Sequence, residues 1–487
     1  MEPEKHNLHH TQETPPPSTA ASVADTPSTG QSYSNRTKKE PQPDTGTHHH
    51  HKSTATGDSA ALTTTAALKN LLVMYAAILL TAVLTGIFSH YLLAALHWVG
   101  TYRDGHNWLL YLLPVLGVAT AFSYQQFGKG SDKGNNLIIE SIQTEAHVPV
   151  RMGIMTFIFT ILSHLFGASV GREGSAVQIG GVVANKLGRL FPLNKDARKI
   201  VVHAGISAGF ASIFGTPLAG AFFGMEMAYI GRLERKALIP CFTAAYLSNF
   251  VALSLGTVHE GHAIGQLPEV TGQLLLAVIV AAIAFGLFGR AFAALTHFFK
   301  AFYKKTITQP FLRAFVSAGI VVVLMLVVSG QRFEGLSLWM MDDAFKGTSS
   351  LLDPVAKLLF TSLSLGAGFQ GGEVTPLFDI GSTLGSGIAQ LFHQSPALFA
   401  AMGLIAVFGC AANAPLTTIM LGIDLFGATA LPYYVAAAFI SYYVSGHEGI
   451  YTSQLIVHPK TVRLQHHAGL RLSEIAKTSA ATKQEEH

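Results

Sequence analysis

The sequence predicts an all-α polytopic membrane protein built from many short, tilted, broken helices, and three observations carry that expectation. Of 487 residues, 49% are hydrophobic and 12% charged, with a mean hydropathy of +0.38, whereas soluble chains carry about 25% charged residues. Apolar runs recur from about Leu62 to about Tyr443, enough for one integral membrane domain at residues 62–455 between polar tails. Many of these runs are shorter than the roughly 20 residues of a full crossing, and many begin or end at Gly or Pro. Short, interrupted helices in quantity suggest a transporter or channel with its site at mid-membrane.

Composition narrows the remaining classes. A formal net charge of +4 gives no support for nucleic-acid binding. Cys241 and Cys410 are the only cysteines, both in apolar surroundings, so neither a disulfide framework nor a metal site is expected. No cofactor is called for. Residues 1–61 are rich in Pro, Thr, Ser, Gly and His and are expected to be a disordered tail, without the apolar core of a signal peptide. Within it, His48 to His51 read as a solvated low-complexity tract, and Asn35-Arg36-Thr37 as a chance sequon.

The apolar segment from Leu62 to Trp98 is longer than a bilayer needs, so tilt or a break is expected. A span over Trp108–Phe122 is followed by the polar stretch Gly128–Asn136, whose Gly and Asn read as an N-cap for the run from Leu137. That stretch lacks the GK[ST] ending of a phosphate loop. Next come a span at Val148–Leu165 and a short helix at Ala176–Leu190. Two basic clusters, around Arg189–Lys199 and Arg232–Lys236, read as cytoplasmic, and Gly215-Thr216-Pro217 breaks the segment between them into two helices. Later spans are expected at Leu238–Leu255, Leu274–Phe299, Phe315–Val328, Val355–Phe369, Leu377–Leu391, Ala397–Ala411, Leu416–Leu425 and Leu431–Val444. Residues 456–487 read as a polar tail with no second domain.

An internal repeat organises these spans into halves of about 62–255 and 256–455. Gly171-Arg172-Glu173-Gly174-Ser175 precedes Gly371-Gly372-Glu373-Val374-Thr375 by about 200 positions, and each is followed by an Ile-Gly pair. Pro217-Leu218 with Glu226 parallels Pro415-Leu416 with Asp424. The repeat is compatible with an inverted or a parallel arrangement. Its first motif places Arg172 and Glu173 between glycines inside an apolar domain, where ionisable residues are costly. A helix N-terminus there favours anions through its free N–H groups and dipole, so a carboxylate and an anion compete for one place.

With those residues in view, Gly171-Arg172-Glu173-Gly174 followed by Val177-Gln178-Ile179-Gly180 is similar to the signature of the CLC family of anion channels and anion/proton antiporters. The resemblance extends to Leu358–Gly372, to the hairpin around Ala219–Met227 and to Pro415-Leu416-Thr417, covering nearly all of residues 62–455. It implies CLC-type inverted repeats, a homodimer in the lipid bilayer with one pore per subunit, and tilted helices whose N-termini converge on the anion. No CBS domains are expected after residue 455. It also implies gating and proton coupling by Glu173 and anion binding by Asn135, Gly174, Val374, Thr375 and Tyr451. Arg172 would be structural and Glu373 a second titratable group.

The departures from the family pattern are informative. Ser175 stands where a proline is common, and Gly371-Gly372-Glu373-Val374-Thr375-Pro376 replaces Gly-Gly-Ile-Phe-Ala-Pro, resembling the fluoride-selective branch. The family's Gly-Ser-Gly-Ile-Pro aligns with Gly134-Asn135-Asn136-Leu137-Ile138, putting Asn135 at the serine, while a shift of one residue selects Gly134 or Asn136. Met227 stands where many chloride/proton antiporters have an internal glutamate. The resemblance therefore implies export of fluoride in exchange for protons, with a chloride channel or chloride/proton antiporter as the alternative. Fluoride is a strong hydrogen-bond acceptor, and the amide of Asn135 and the hydroxyls of Thr375 and Tyr451 suit it. An intramembrane enzyme lacks support, because no His-Glu-x-x-His motif or nucleophile elbow is present.

Plainer roles compete with each of these. Arg172 could satisfy backbone carbonyls; its pairing with Glu173 is disfavoured because helix neighbours do not face each other. Thr375 and Asn135 could be helix caps, and Glu373 a carboxyl held by backbone N–H groups. Glu226 and Asp424 read as satisfied helix-end carboxylates, and His164, His203 and His297 as structural.

Overall fold

The computed structural model describes residues 55–259 and 261–475. The first half contains α1 (Ala55–Asp104), α2 (Leu113–Ser123), α3 (Asn135–Thr144), α4 (Val150–Leu165), α5 (Glu173–Leu190), α6 (Lys195–Phe214), α7 (Pro217–Glu226) and α8 (Leu238–Ser254). The second contains α9 (Gly272–Thr306), α10 (Pro310–Val327), α11 (Trp339–Lys346), α12 (Asp353–Ala367), α13 (Val374–Leu391), α14 (Pro396–Ala412), α15 (Pro415–Phe426) and α16 (Leu431–Val444). Taken in order, each helix of one half has a counterpart in the other, from α1 with α9 to α8 with α16. The all-α repeat architecture is thus present throughout.

Two reciprocal contacts show that the halves are related by a local two-fold. The Gly171 amide donates to the Gly372 carbonyl at 2.7 Å, and the Gly372 amide returns the bond at 2.7 Å, an antiparallel bridge between equivalent residues. Glu226, at the end of α7, accepts from the Thr417 amide at 2.7 Å, the Thr417 hydroxyl at 2.6 Å and the Leu416 amide at 3.2 Å, at the start of α15. Asp424, late in α15, accepts from the Ala219 amide at 2.9 Å, at the start of α7. Each carboxylate accepts from N-terminal N–H groups that a helix cannot satisfy itself.

Close helix crossings repeat as well. A Cβ built on Gly180 of α5 would collide with the Gly205 carbonyl of α6, and one on Gly381 of α13 with the Gly403 carbonyl of α14. Glycine at these points lets the backbones touch, as membrane helices require where lipid offers no hydrophobic drive. Helices α5, α6, α13 and α14 are buried along most of their length by other helices, which is why they need not match the bilayer. Five helical segments among the described residues are long and apolar enough to cross a membrane, namely Ala67–Asp104, Asn107–Gly128, Arg235–Ser254, Gly272–Thr306 and Pro310–Val327. Their outward faces carry exposed Leu72, Phe250, Leu276 and Val323, surfaces that suit lipid.

Several expectations need correction. Helix α1 begins at Ala55, inside the stretch expected to be disordered through residue 61, and continues unbroken past Trp98 to Asp104. The rest of that tail, with His48–His51 and the Asn35 sequon, lies outside the described residues. Helix α11 was not foreseen, because Asp342, Asp343 and Lys346 mask its short apolar face. Helix α5 starts at Glu173 rather than Ala176, which puts the glutamate in its first turn.

Residues after 455 are not a free tail as far as Ile475. Strand β2 (Leu455–Ile456) pairs in parallel with β1 (Tyr229–Ile230), and Ile230, Ile456 and Leu472 form a small buried cluster. Residues 476–487 lie outside the described set. A histidine clasp fastens this segment to the end of α16. The Lys460 amide donates to His447 Nε2 at 3.1 Å, which leaves the ring proton on His447 Nδ1, 3.2 Å from His467 Nδ1.

The two carboxylate caps make a stability prediction. Replacing Glu226 by Ala, leaving the buried N–H groups of α15 unpaired, is expected to cost on the order of 2–4 kcal/mol, read as a lowered melting temperature of the purified protein. Glu226→Gln, able to keep one bond, should cost less.

The clasp makes a second. Burial pushes the His447 imidazole from 6.5 down to about 4. Its neutral form is the folded one, so the stabilisation is complete above pH 6.5 and drains away as pH falls towards 4. Amide exchange of residues 455–475, corrected for intrinsic rates, should accelerate across that window.

Candidate functional site

The two-fold bridge at Gly171 and Gly372 brings the N-termini of α5 and α13 together, and the candidate site lies where they meet. Glu173 is fully buried there. One carboxylate oxygen accepts from the Thr375 amide at 3.1 Å and the Arg172 amide at 3.1 Å. The other takes a short hydrogen bond from the Thr375 hydroxyl and faces Arg172 Nε at 3.3 Å. The carboxylate thus occupies the donor groups of both helix starts, a ready-made anion position.

Arg172 departs from expectation. It makes no hydrogen bond to a backbone carbonyl among the described residues and instead pairs with Glu173. The i, i+1 objection fails because Arg172 precedes the helix, with φ −120° and ψ −21°, so its side chain is not bound by helical spacing.

Gly174 fixes the other side. A Cβ there would come within 3.0 Å of Gly372 Cα, 3.2 Å of Asn135 Nδ2 and 3.3 Å of a Glu373 carboxylate oxygen, so a side chain would crowd all three, and Asn135 and Glu373 flank the glycine. Asn135 Oδ1, Glu373 Oε2 and the Tyr451 hydroxyl are buried with no hydrogen-bond partner among the described residues. Three such orphans in one region are unusual, since buried polar atoms are nearly always paired. Val374 is buried in the core beside them.

The neighbours of Asn135 have local roles. Asn136 Oδ1 accepts from the Ser453 amide at 2.9 Å, a structural bond, while Gly134 at φ 55° is the turn before α3. Neither α3 nor α13 is capped by the side chain of its own N-cap residue, Gly134 or Glu373, and Asn135 and Thr375 lie within the helices, so their cap readings fall away. The orphaned Oε2 of Glu373 likewise rules out a carboxyl fully held by backbone N–H groups. His164, His203 and His297 each bond a backbone carbonyl, at 2.8, 2.6 and 3.0 Å, as structural histidines do.

Sequence reasoning missed two features. Phe223 lies 6.4 Å from the Tyr451 ring, 4.5 Å from Phe210 and 6.0 Å from Phe408, an aromatic wall along the buried side of Tyr451. Lys357 and Asp379, both fully buried, form an ion pair at 3.4 Å, and Asp379 sits one helical turn beyond Thr375 on α13. Charged residues inside the apolar runs of α12 and α13 were the available signal.

With the geometry in hand, comparison with known proteins identifies the family. Residues 116–446 match the model of the voltage gated chloride channel family. The chain belongs to that family. A "Chloride/fluoride channel protein" of Pseudomonas syringae pv. tomato is 44% identical over 407 residues, 81% of this chain and 89% of the relative. Among solved structures, a CLC-type fluoride/proton antiporter superposes with TM-score 0.77 at 32% identity, covering 79% of this chain and 98% of that one. A slow cyanobacterial Cl−/H+ antiporter gives TM-score 0.68 at 20% identity over 78% and 96% of the two chains, a likeness of fold. The protein is therefore an integral membrane protein of CLC architecture.

The buried pair behind the site is testable as a unit. Lys357→Met leaves Asp379 charged and unpaired in the interior, with an expected loss of roughly 3–5 kcal/mol. Lys357→Met/Asp379→Leu should recover most of that loss in the same thermal melt.

Proposed function

We propose that the protein is a fluoride/proton antiporter that exports fluoride in exchange for protons. One observation carries the reading: the Glu173 carboxylate is held by the amide and hydroxyl of Thr375, donors that a fluoride could take in its place. When Glu173 takes a proton it loses the charge that those donors and Arg172 hold, and the anion inherits them. When the anion departs, Glu173 gives up its proton and returns. Competition for one set of donors thus exchanges one anion for one proton without a second pathway.

Fluoride suits the site because the donors are short and directional, and Thr375 supplies both an amide and a hydroxyl. Tyr451 stands behind it with an unpartnered hydroxyl that could donate to a desolvated ion, and Asn135 would donate through its Nδ2 amide rather than its Oδ1. Glu373 presents an unpartnered carboxyl oxygen beside Gly174 and would take part in proton transfer, where Met227 offers no titratable group. The reading extends to a homodimer in the cell membrane, one pore per subunit. The name of the Pseudomonas relative favours a second reading, a passive fluoride and chloride channel.

Purified protein in liposomes separates these readings. Fluoride efflux should be accompanied by proton entry, chloride should pass far more slowly, and Glu173→Gln should abolish proton coupling. A reversal potential independent of pH would establish the channel, and equal chloride passage would refute fluoride selectivity.

A further inference from the structure

The basic cluster around Arg189–Lys199 takes no part in the site at Glu173, and an apolar groove ends beside it. Helices α1, α4 and α5 enclose this groove, a cavity of about 380 Å³ whose walls include Leu84, Phe157 and Val183 and whose one polar lining residue is Lys186. Phe88, Ile154 and Ile158 remain exposed along it, so it opens sideways against a membrane-crossing helix, α1, and faces lipid. We propose that the groove and the basic notch at its end form a binding site for one anionic phospholipid, with an acyl chain between α1, α4 and α5 and the phosphate on Lys186 and Arg198.

The notch is built at the C-terminal end of α5, where Asn185, Arg189, Arg198, Lys199 and Glu145 line it. The connector from α3 to α4 borders both features, with Glu145 in the notch and Val150 in the groove. Lys186 and Arg189 are three apart on α5 and so are surface neighbours. Gly188 lets α6 come close, since a Cβ there would lie 3.8 Å from Arg198 Cβ. Some of these charges are spent. Arg189 donates to Asn185 Oδ1 at 3.2 Å and to the Glu145 carbonyl at 2.7 Å, and Lys195 takes the Glu145 carboxylate at 3.7 Å. Asp196, the other acid of this stretch, sits in the first turn of α6, where it complements the helix start. Lys186 and Lys199 have no hydrogen bond or ion pair among the described residues, and Arg198 Nε is buried without a partner.

An acyl chain suits the groove because it brings no polar group that would need satisfying there. An anion suits the end of it because free cations outnumber free acids. Basic pockets between membrane helices on the cytoplasmic side take anionic headgroups for the same reason, and the positive loop assigns the lipid to the cytoplasmic leaflet. A second copy of this chain suits the place badly, since a two-fold contact on this face would bring two basic clusters together. Binding here uses none of the groups that hold the Glu173 carboxylate, although the lipid braces the helix that begins with that residue.

The test is titration of phosphatidylglycerol into the purified full-length protein in detergent, followed by native mass spectrometry, with phosphatidylcholine of the same acyl chains as the control. One phosphatidylglycerol per subunit is expected to bind roughly ten-fold more tightly than phosphatidylcholine, and K186E/R198E should remove that preference. Equal binding of the two lipids to the wild type overturns the site, as does an undiminished preference in K186E/R198E. If that variant does not fold, K186Q/R198Q is read in the same way. Glycerol phosphate, the headgroup without its chains, should bind far more weakly; affinity equal to that of the whole lipid overturns the role of the groove. Retained lipid preference with a change of oligomeric state in the variant overturns the proposal in favour of a contact between copies.

Discussion

A fully buried carboxylate cannot stand alone in a membrane protein, and the chain is built around meeting that constraint at Glu173. The groups that satisfy it come from both halves: the Arg172 amide and guanidinium from the first, the Thr375 amide and hydroxyl from the second. Neither half completes the site. The Gly171–Gly372 bridge is what holds the two helix starts in range, and two glycines are needed because a Cβ on Gly171 would strike Pro376 and the Gly372 carbonyl, and one on Gly372 the amides of Glu173 and Gly174. Backbone that is neither helix nor sheet is tolerated at this depth only where protein surrounds it, and α5 and α13 provide that surround.

The same logic recurs away from the site. Glu226 and Asp424 are buried or half-buried acids that repay their desolvation by capping each other's helices across the two-fold. Lys357 and Asp379 pair directly, and Lys357 also donates to the Gly335 carbonyl at 3.1 Å and the Ser337 hydroxyl at 3.1 Å. Glu373 breaks the pattern. Its carboxyl oxygen Oε2, like Asn135 Oδ1 and the Tyr451 hydroxyl, is buried without a hydrogen-bond partner among the described residues.

Much of this was legible in the sequence because the constraint is chemical before it is geometric. Charged residues between glycines in an apolar stretch, repeated about 200 positions later, announced the site and its partner half. The breaks at Thr216-Pro217 and Ala414-Pro415 marked α7 and α15 because proline favours a helix start and forbids its interior. Lys357 and Asp379 stand out as charges inside apolar runs, but their pairing was not legible, since nothing local says that residues on separate helices will meet. Arg172 was misread because the spacing rule for helices was applied to a residue that lies just outside one. The C-terminal segment was read by polarity, and polarity hides a strand two residues long whose hold depends on Ile230 more than 200 positions earlier.

Two-fold architecture also explains why the halves have diverged at their most similar point. The first repeat places Glu173 within its helix and the second places Glu373 just before its helix, so the two acids face different surroundings despite equivalent positions. One takes every donor in reach and the other is left with an open oxygen. An exchanger needs such inequality: if both acids were equally satisfied, neither would yield to an anion, and if both were equally free, the empty site would hold two uncompensated charges. On the proposed exchange reading, symmetric folding with asymmetric satisfaction would give one acid that competes with the ion and one that accompanies it.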